Sequence, residues 1–294
     1  MKHRKKKDPI VTSSVVKDFH LHSSGSHRHT DGNDQEKNRA TGHRLRAKVI
    51  LTDQILRWPD EAQERLSGEL ENLFSHAFPR MSGKERQDWV RLFFSKPGGR
   101  YHRQAILFRN DSGDLVAAST FDCGEVEYGG NLLKGVYLIG TAILPAYQDF
   151  GLGQTVGARI LTELQPDVLL TTCAQSSSLH SRVSLPQRGL VTGFEVYPRL
   201  EQEGGTDVLK TVKPDQLDFV TSVFKQLFLG VVEGSREDVT AAMQNLTPHM
   251  VRKNLYSDMF DFNPWEKNGR EDKLAKALGV TDRDGVLVMF KKKD

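Results

Sequence analysis

The sequence predicts an α/β (α+β) fold in which a mixed central sheet is flanked by helices. Three consecutive segments carry this prediction: an apolar strand at Gly135–Leu144, an amphipathic helix at Gln154–Leu164 and a further strand at Asp167–Cys173. A strand–helix–strand unit normally places its two strands parallel in one sheet. The strands expected before this unit are joined by a short turn, which favours antiparallel pairing, so the sheet should be mixed.

The elements before this unit follow from periodicity and turn signals. Two segments show apolar residues at helical spacing, and the second opens with a Ser82–Glu85 capping box. The turn Asn110–Asp114 separates two strand-like runs and indicates a hairpin. Gly124–Leu133 is interpreted as a second connection, which can include strand edges. The predicted elements are a strand at Leu45–Thr52, helices at Ile55–Phe78 and Ser82–Ser95, and strands at Gln104–Arg109 and Leu115–Asp122.

Composition bounds the class of protein. A chain of 294 residues can form one large domain or two ordinary ones. Two cysteines, Cys123 and Cys173, are too few for a disulfide framework and indicate a reducing compartment. No apolar run reaches the length of a membrane span, and the first residues lack the apolar core of a signal peptide. We therefore expect a soluble, cytoplasmic protein without membrane contact.

Positive charge is concentrated at the start of the chain. The net charge is +3, whereas the first 49 residues carry 12 Lys and Arg against 5 Asp and Glu. Residues 1–44 are predicted to form a disordered, basic, His-rich arm. Its Lys2–Lys7 run allows weak contact with nucleic acid or an acidic partner, although a solvated tail is the favoured explanation. No carboxylate or cysteine completes a metal site around its histidines, so no metal is predicted. The two His-x-His pairs are His20, His22, His27 and His29.

The bend after the apolar strand has the composition of an anion site. Pro145 cannot donate a ladder hydrogen bond, so the strand should end there. The first N–H groups of the following helix have no partner within it, and the helix dipole favours an anion beside them. Gly151 and Gly153 leave the backbone open to close approach. A phosphate or diphosphate is the expected ligand, although two glycines can also simply shape a turn.

The motif Gln148-x-x-Gly151-x-Gly153, after a strand ending Ile143-Leu144-Pro145, resembles the acyl-CoA-binding motif of the GCN5-related N-acetyltransferases (GNAT). The resemblance implies acetyl-CoA as co-substrate. It assigns Ile143 and Leu144 to the pantetheine arm, which a splayed, bulged strand receives. The diphosphate would be held by the backbone amides of Gln148, Asp149, Phe150, Gly151, Leu152, Gly153 and Gln154.

A dinucleotide fingerprint is the competing interpretation of these glycines. Gly151-x-Gly153-x-x-x-Gly157 resembles a variant of that motif. However, six residues separate Leu144 from Gly151, and the place of the expected ribose-binding acid falls among Leu170–Thr172. The dinucleotide interpretation is therefore weak.

Element order supports the acetyltransferase resemblance. From Leu45 the predicted order is β-α-α-β-β-β-α-β, which matches the family core. Residues 45–200 are accordingly predicted to form a GNAT-like acyl-CoA N-acyltransferase domain closed by a strand at Gly193–Tyr197, and residues 201–294 a C-terminal α/β extension. The elements predicted in the extension are helices within Leu209–Leu227, Arg236–Leu246 and Glu271–Leu278 and a strand at Val286–Phe290.

The catalytic groups of the family are not matched. Its pantetheine-binding asparagine corresponds to Ser178, and its acid tyrosine corresponds to Leu185, which has no proton to give. His180, Ser181 and Tyr197 are the nearby substitutes for the acid. The family's glutamate corresponds to Tyr137, which strand alternation would place on one face with Ile139 and Thr141. The neighbouring carboxylates that could act through a water are Asp122, Glu125 and Glu127.

The resulting expectation is an N-acetyltransferase in which an amine of unidentified acceptor attacks the thioester of acetyl-CoA directly. Tyr137, Glu127 and His180 are its candidate catalytic residues. Cys173 has no activating partner in sequence, so a covalent intermediate is not expected. The alternative is a binding or regulatory module that keeps the fold, lacks turnover and contacts nucleic acid or a partner protein through its basic arm.

Overall fold

The computed structural model describes residues 16–21, 43–98, 101–231, 247, 250–252, 264–267, 270–282 and 284–293. Within them, thirteen strands and seven α-helices are found. The strands are β1 (Val16–Leu21), β2 (His43–Leu51), β3 (His102–Arg109), β4 (Leu115–Tyr128), β5 (Asn131–Ile143), β6 (Val168–Cys173), β7 (Phe194–Tyr197), β8 (Arg199–Glu203), β9 (Thr206–Lys210), β10 (Val251–Arg252), β11 (Glu266–Lys267), β12 (Arg270–Glu271) and β13 (Gly285–Lys292).

The helices of the described residues are short or of moderate length, and none is long and apolar enough to cross a membrane. A 3₁₀ turn precedes the fourth helix, and a π turn continues it to Leu164. The α-helices are α1 (Thr52–Ile55), α2 (Asp60–Ala77), α3 (Gly83–Phe94), α4 (Leu152–Arg159), α5 (Ser176–Val183), α6 (Pro214–Val231) and α7 (Lys273–Leu278).

One large sheet organises the molecule. Its strand order is β1-β2-β3-β4-β5-β6-β13-β10. In addition, β7 pairs with β13 on the edge opposite β6. Only the β5–β6 pair is parallel among these described strands; the others pair antiparallel. The prediction of a mixed sheet flanked by helices is confirmed.

Helices cover both faces of the sheet. On one face, α2 and α3 pack over β2–β4 through residues such as Leu70 and Phe93, and α6 packs over β5, β6 and β13 through residues such as Phe224. On the other face, α4, α5 and α7 share a core with the same strands, including Val156 and Leu179. The parallel pair β5–β6 therefore lies between two helical layers.

Several predicted boundaries differ for local reasons. The helix predicted at Ile55–Phe78 is interrupted, because Pro59 stands at the N-cap of α2. Gly124–Leu133 is not a loop: β4 and β5 form one long hairpin, turning at Gly129 and Gly130, whose φ angles of +58° and +77° suit a tight turn. The Ser82–Glu85 capping box is confirmed.

The C-terminal segment is not separate from the core. β13 lies between β6 and β7, pairing Val288 with Thr171 and Phe290 with Val196. The predicted boundary at residue 200 therefore divides one sheet, because the strand at Phe194–Tyr197 reaches the sheet only through β13. The helix expected at Arg236–Leu246 lies outside the described residues.

The predicted disordered arm is interrupted by a strand. Val16–Leu21 forms β1 and pairs antiparallel with β2 at the edge of the sheet. The Lys2–Lys7 run and three of the four histidines in the His-x-His pairs, His22, His27 and His29, lie outside the described residues.

Candidate functional site

The parallel strands β5 and β6 part before either strand ends. Their pairing runs from Gly135–Val168 to Leu138–Thr171. Beyond it, β5 continues through Ile139–Ile143 without pairing to β6, while Thr172 and Cys173 keep the pairing with β13 that β6 makes along its other edge. Among the described strands, none pairs with these five residues on the edge of β5 that faces β6. We call the space between Ile139–Ile143 and the end of β6 the slot.

A β-bulge stands at the start of the slot. Thr120 pairs with Gly140 and Phe121 with Leu138, so Ile139 is an extra residue in β5. The bulge overturns the alternation that we predicted for this strand. Tyr137 and Ile139 pack against the α6 face, whereas Thr141 lies on the α4–α5 face.

Gly140 is covered by an aromatic ring from α3. A Cβ atom at this position would lie 2.2 Å from Cζ3 of Trp89. Trp89 also packs against Phe74, with ring centroids 5.7 Å apart. The ring therefore closes one side of β5 at the bulge and requires glycine beneath it.

The slot leads directly into the glycine bend. Pro145–Phe150 forms a 3₁₀ turn, and Gly151, with φ +73°, reverses the chain into α4. The Gln148 side chain returns to the strand end, where Nε2 donates to the Ile143 carbonyl oxygen at 3.2 Å. The first-turn amides of α4, at Leu152–Gln154, have no earlier helical carbonyl to bond. All the residues that the resemblance assigns to the diphosphate, Gln148–Gln154, lie in this bend.

Close packing of α5 explains the other glycines. A Cβ atom at Gly153 would lie 3.3 Å from Oγ of Ser181, and one at Gly157 would lie 2.8 Å from Nη1 of Arg182. Gly157 therefore serves helix packing, which removes the basis for a dinucleotide fingerprint. Ser181 donates to the Ser178 carbonyl oxygen at 2.7 Å, so its hydroxyl is used locally.

Arg182 is a functional candidate that the sequence reasoning missed. Its side chain is buried between α5, α4 and β5: Nη1 donates to the Gly153 carbonyl oxygen, and Nη2 lies 3.4 Å from Oγ1 of Thr141. Burial lowers the pKa of the Arg182 guanidinium. Helical spacing from Ser178 was an available signal, because residues four apart share a helix face.

Cys173 is the last residue of β6 and is buried. Burial raises its pKa to about 11, although the nearby Arg182 charge and a hydrogen bond with Ser178 act in the opposite direction. A thiolate is the nucleophilic form, so Cys173 is unsuited to covalent catalysis. Ser178, assigned by resemblance to the pantetheine arm, lies beside this strand end.

Tyr137 reaches the slot from the α6 face. Its ring is buried against Phe224, with centroids 5.9 Å apart, and its hydroxyl lies 3.3 Å from Oγ1 of Thr172. The hydroxyl thus stands where β5 and β6 separate. Leu185, at the position of the family's acid tyrosine, is fully buried among apolar residues.

His180 is turned toward the C-terminal segment. Its Nε2 contacts Oδ2 of Asp272, which also accepts from Oγ of Ser176 at 2.9 Å. Asp272 caps α7 by accepting from the amides of Leu274 and Ala275, both at 3.0 Å. Burial opposes ionisation of Asp272, but the hydrogen bonds from His180, Ala275 and Ser176 outweigh it and lower its pKa to about 2. This cluster ties α5 to α7.

The predicted carboxylates are not brought to the slot. Glu127 pairs with Leu132 near the tip of the β4–β5 hairpin, seven residues or roughly 23 Å along the strand from Ile139. Glu125 lies on the same hairpin, opposite Lys134. Asp122 is fully buried in a bidentate ion pair with Arg103, in which Nε and Nη2 each donate to one carboxylate oxygen at 2.8 Å.

The remaining acid candidate also lies elsewhere. Tyr197 belongs to β7, beyond β13, and donates to Oε2 of Glu195 at 3.0 Å. Burial and the neighbouring Glu195 raise the pKa of Tyr197. Among the described residues, no group of three or more His, Cys, Asp or Glu side chains could hold a metal ion.

No protein-family model matches this sequence, and no curated protein matches it. The solved structures that are similar to this chain include many acetyltransferases. One is an acetyltransferase from Corynebacterium glutamicum, related to a histone acetyltransferase, at 12% identity and TM-score 0.32, with 56% of this chain and 97% of that chain covered.

Two further solved structures are also similar to this chain. An aminoglycoside N-acetyltransferase in complex with CoA shows 15% identity and TM-score 0.31, with 59% of this chain and 97% of that chain covered. A GCN5-related N-acetyltransferase from Kribbella flavida shows 17% identity and TM-score 0.30, with coverage of 52% and 33%. At such identities and TM-scores, these structures carry no argument about what this chain binds or catalyses.

Proposed function

We propose that this chain is an acyl-CoA-dependent N-acetyltransferase that transfers an acetyl group from acetyl-CoA to an amine. One observation carries the proposal: β5 leaves β6 after Leu138, bulges at Ile139 and runs as an open edge into the bend at Gly151. An open strand edge offers backbone groups to an extended, amide-containing arm. The first turn of α4 offers free amides and a positive dipole end to a diphosphate. Acyl-CoA carries both groups in this order.

The assignment of residues follows that order. Ile143 and Leu144 would contact the pantetheine arm at the mouth of the slot, with Ser178 on its opposite side. The amides of Gln148–Gln154 would hold the diphosphate. The thioester would then lie deeper, beside Ile139–Thr141, where the strand is bulged.

Direct attack fits the groups that are available. The amine nitrogen would attack the thioester carbonyl, and a backbone N–H of the open β5 edge would stabilise the oxyanion. Tyr137 is the candidate polar group beside the reacting atoms, because its hydroxyl stands at the separation of the strands. The amine proton would leave through water, since Glu127 and His180 are engaged elsewhere.

Acetyl-CoA binding tests this function at Gly151. Asn and Asp both tolerate its left-handed backbone, so Gly151→Asn and Gly151→Asp differ chiefly in charge. Calorimetry should show saturable binding to the wild type, weaker binding to Gly151→Asn, and about tenfold weaker binding again to Gly151→Asp, because a carboxylate would face the diphosphate. Gly68→Glu is the matched control, since this exposed helical position has open space around it.

Two outcomes would count against the proposal. Absence of binding to the wild type would remove it outright. Equal affinities for the Asn and Asp variants would mean that no diphosphate lies at the bend.

A thioester-binding module without turnover is the second candidate, favoured by the burial of Leu185 in place of an acid. Release of CoA thiol with a panel of amines separates the two: turnover of any amine supports the enzyme, whereas binding without release supports the module. The basic arm belongs to this second proposal. A salt-dependent gel shift that is lost when residues 1–44 are deleted would support it.

A further inference from the structure

Among the residues that the structure describes, Arg182 carries a buried charge without a carboxylate partner. Its side chain is 4% exposed, its Nη atoms face a carbonyl and a hydroxyl, and its Nε has no hydrogen-bond partner among the described residues. No described carboxylate forms an ion pair with it. Buried arginines are seldom left uncompensated, because desolvating the charge is costly.

Arg103 shows how the same chain treats a buried arginine that is only structural. It is 2% exposed and binds Asp122 through two hydrogen bonds, with Ser95 accepting a third at 2.7 Å. The Nε, Nη1 and Nη2 atoms of Arg103 therefore all donate hydrogen bonds. Compared with Arg103, Arg182 thus has bonding capacity that the described residues leave unused, and a ligand could use it.

Arg182 contacts both parts of the proposed site, through Nη1 at the Gly153 carbonyl of the bend and through Nη2 at Thr141 of the slot. Thr141, its contact on β5, lies in the slot two residues deeper than Ile143. On the proposed function, on which this inference rests, the diphosphate stays at the partly exposed bend and only the arm and its thioester enter the slot. The sulfur is the atom of that buried portion that becomes negative when the reaction ends.

We propose that Arg182 is a catalytic residue whose guanidinium stabilises the thiolate of CoA as it leaves. In this step the amine nitrogen forms a bond to the carbonyl carbon, the carbon–sulfur bond breaks, and its electron pair leaves on sulfur. The proton of the amine nitrogen goes to water, and the guanidinium keeps all of its protons. This role needs no proton donor, which is consistent with a buried leucine at position 185.

The pKa of the CoA thiol when bound reports this contact directly. Binding of CoA and of desulfo-CoA, which lacks the sulfur, should be measured by calorimetry across pH for wild type, Arg182→Lys and Arg182→Met. An ordinary thiol has a pKa of about 8.5, and a cation beside it lowers that value. In the wild type, the affinity for CoA relative to desulfo-CoA should rise about tenfold as the pH passes the thiol pKa. The rise should be smaller in Arg182→Lys and absent in Arg182→Met.

Turnover supplies a second readout. Arg182→Met should lower kcat by about 10²-fold or more while the KM for acetyl-CoA changes little, because the charge acts on the departing group. Arg182→Lys should recover part of that loss. Arg91→Met is the control for losing one positive charge, since Arg91 forms a surface ion pair on α3.

The outcomes are separable. If the affinities of the wild type for CoA and desulfo-CoA depend equally on pH, the thiolate role is overturned while acyl-CoA binding stands. The same holds if Arg182→Met shows as large a rise in relative affinity for CoA as the wild type. Failure of both ligands to bind the wild type would overturn the proposed function and this inference together. If circular dichroism shows Arg182→Met unfolded, the wild-type and Arg182→Lys titrations still decide.

Discussion

At the scale of single residues, Gly140 shows how the strand bulge and the helical layer depend on each other. The bulge at Ile139 turns Gly140 toward α3, and the Trp89 ring fills the space where a Cβ atom would stand. The ring edge in turn covers the start of the slot. A glycine is therefore required here by close approach of a side chain.

Gly140→Ala should lower the free energy of unfolding by about 1–3 kcal/mol, because the added methyl group overlaps the Trp89 ring. Urea unfolding measures the change. Adding Trp89→Leu to this variant should recover part of the loss, since the smaller side chain leaves room. Gly68→Ala, in an open helical position, should be neutral or stabilising. A Gly140→Ala variant as stable as the wild type would contradict the contact.

Residue-scale prediction from the sequence succeeded where the signal is local. Pro145 ends the strand region and Gly151 takes the left-handed conformation, as their chemistry requires. The bulge at Ile139 was not predictable, because it arises from how β5 pairs with β4. The roles of Gly157 and Arg182 were also missed, since they depend on α5 packing against α4.

At the scale of elements, α5 is held from two sides. Arg182 ties it to α4 and β5, and the Asp272 cluster ties it to α7. Asp272 accepts hydrogen bonds from His180 and Ser176 and caps α7 as well. The C-terminal segment thereby fixes the helix that borders the slot.

Asp272 should make the free energy of unfolding depend on pH in the acidic range. Its pKa of about 2 in the folded protein lies below the ordinary value of about 3.9, so its contribution is complete above pH 4 and disappears as the pH falls toward 2. We expect Asp272→Asn to lose about 2 kcal/mol at neutral pH and to show a flatter decline in stability between pH 4 and 2.

Urea unfolding at a series of pH values tests the Asp272 prediction. Asp88→Asn is its control, because Asp88 lies in an exposed ion pair with Arg91. An acid decline in Asp272→Asn as steep as in the wild type would show that another group titrates there.

At the scale of the whole molecule, the sheet is completed by the last strand. β13 separates β6 from β7, so the strand that borders the slot depends on residues more than 100 positions later. The order of the main elements from Leu45 to Cys173 was predictable, because each follows from nearby periodicity and turns, whereas the strand at Val16–Leu21 was missed. The place of β13 was not, since strand pairing over this distance leaves no local pattern.

A fragment of residues 43–200 should not fold cooperatively, because β6 and β7 would each lose β13 as a partner. Circular dichroism with thermal melting tests this prediction against a chain of residues 43–294. A cooperative transition in the shorter fragment would mean that the boundary at residue 200, expected from the sequence, divides two independent units.

Amide hydrogen exchange with and without acetyl-CoA tests the central claim most directly, because the claim concerns particular backbone N–H groups. Acetyl-CoA should slow exchange at Ile139–Ile143, on the open edge of β5, and at Gly151–Gln154, in the bend. Exchange at Gly129 and Gly130, at the far hairpin turn, should stay the same. Unchanged exchange in both the open edge and the bend, at saturating acetyl-CoA, would contradict the acyl-CoA site.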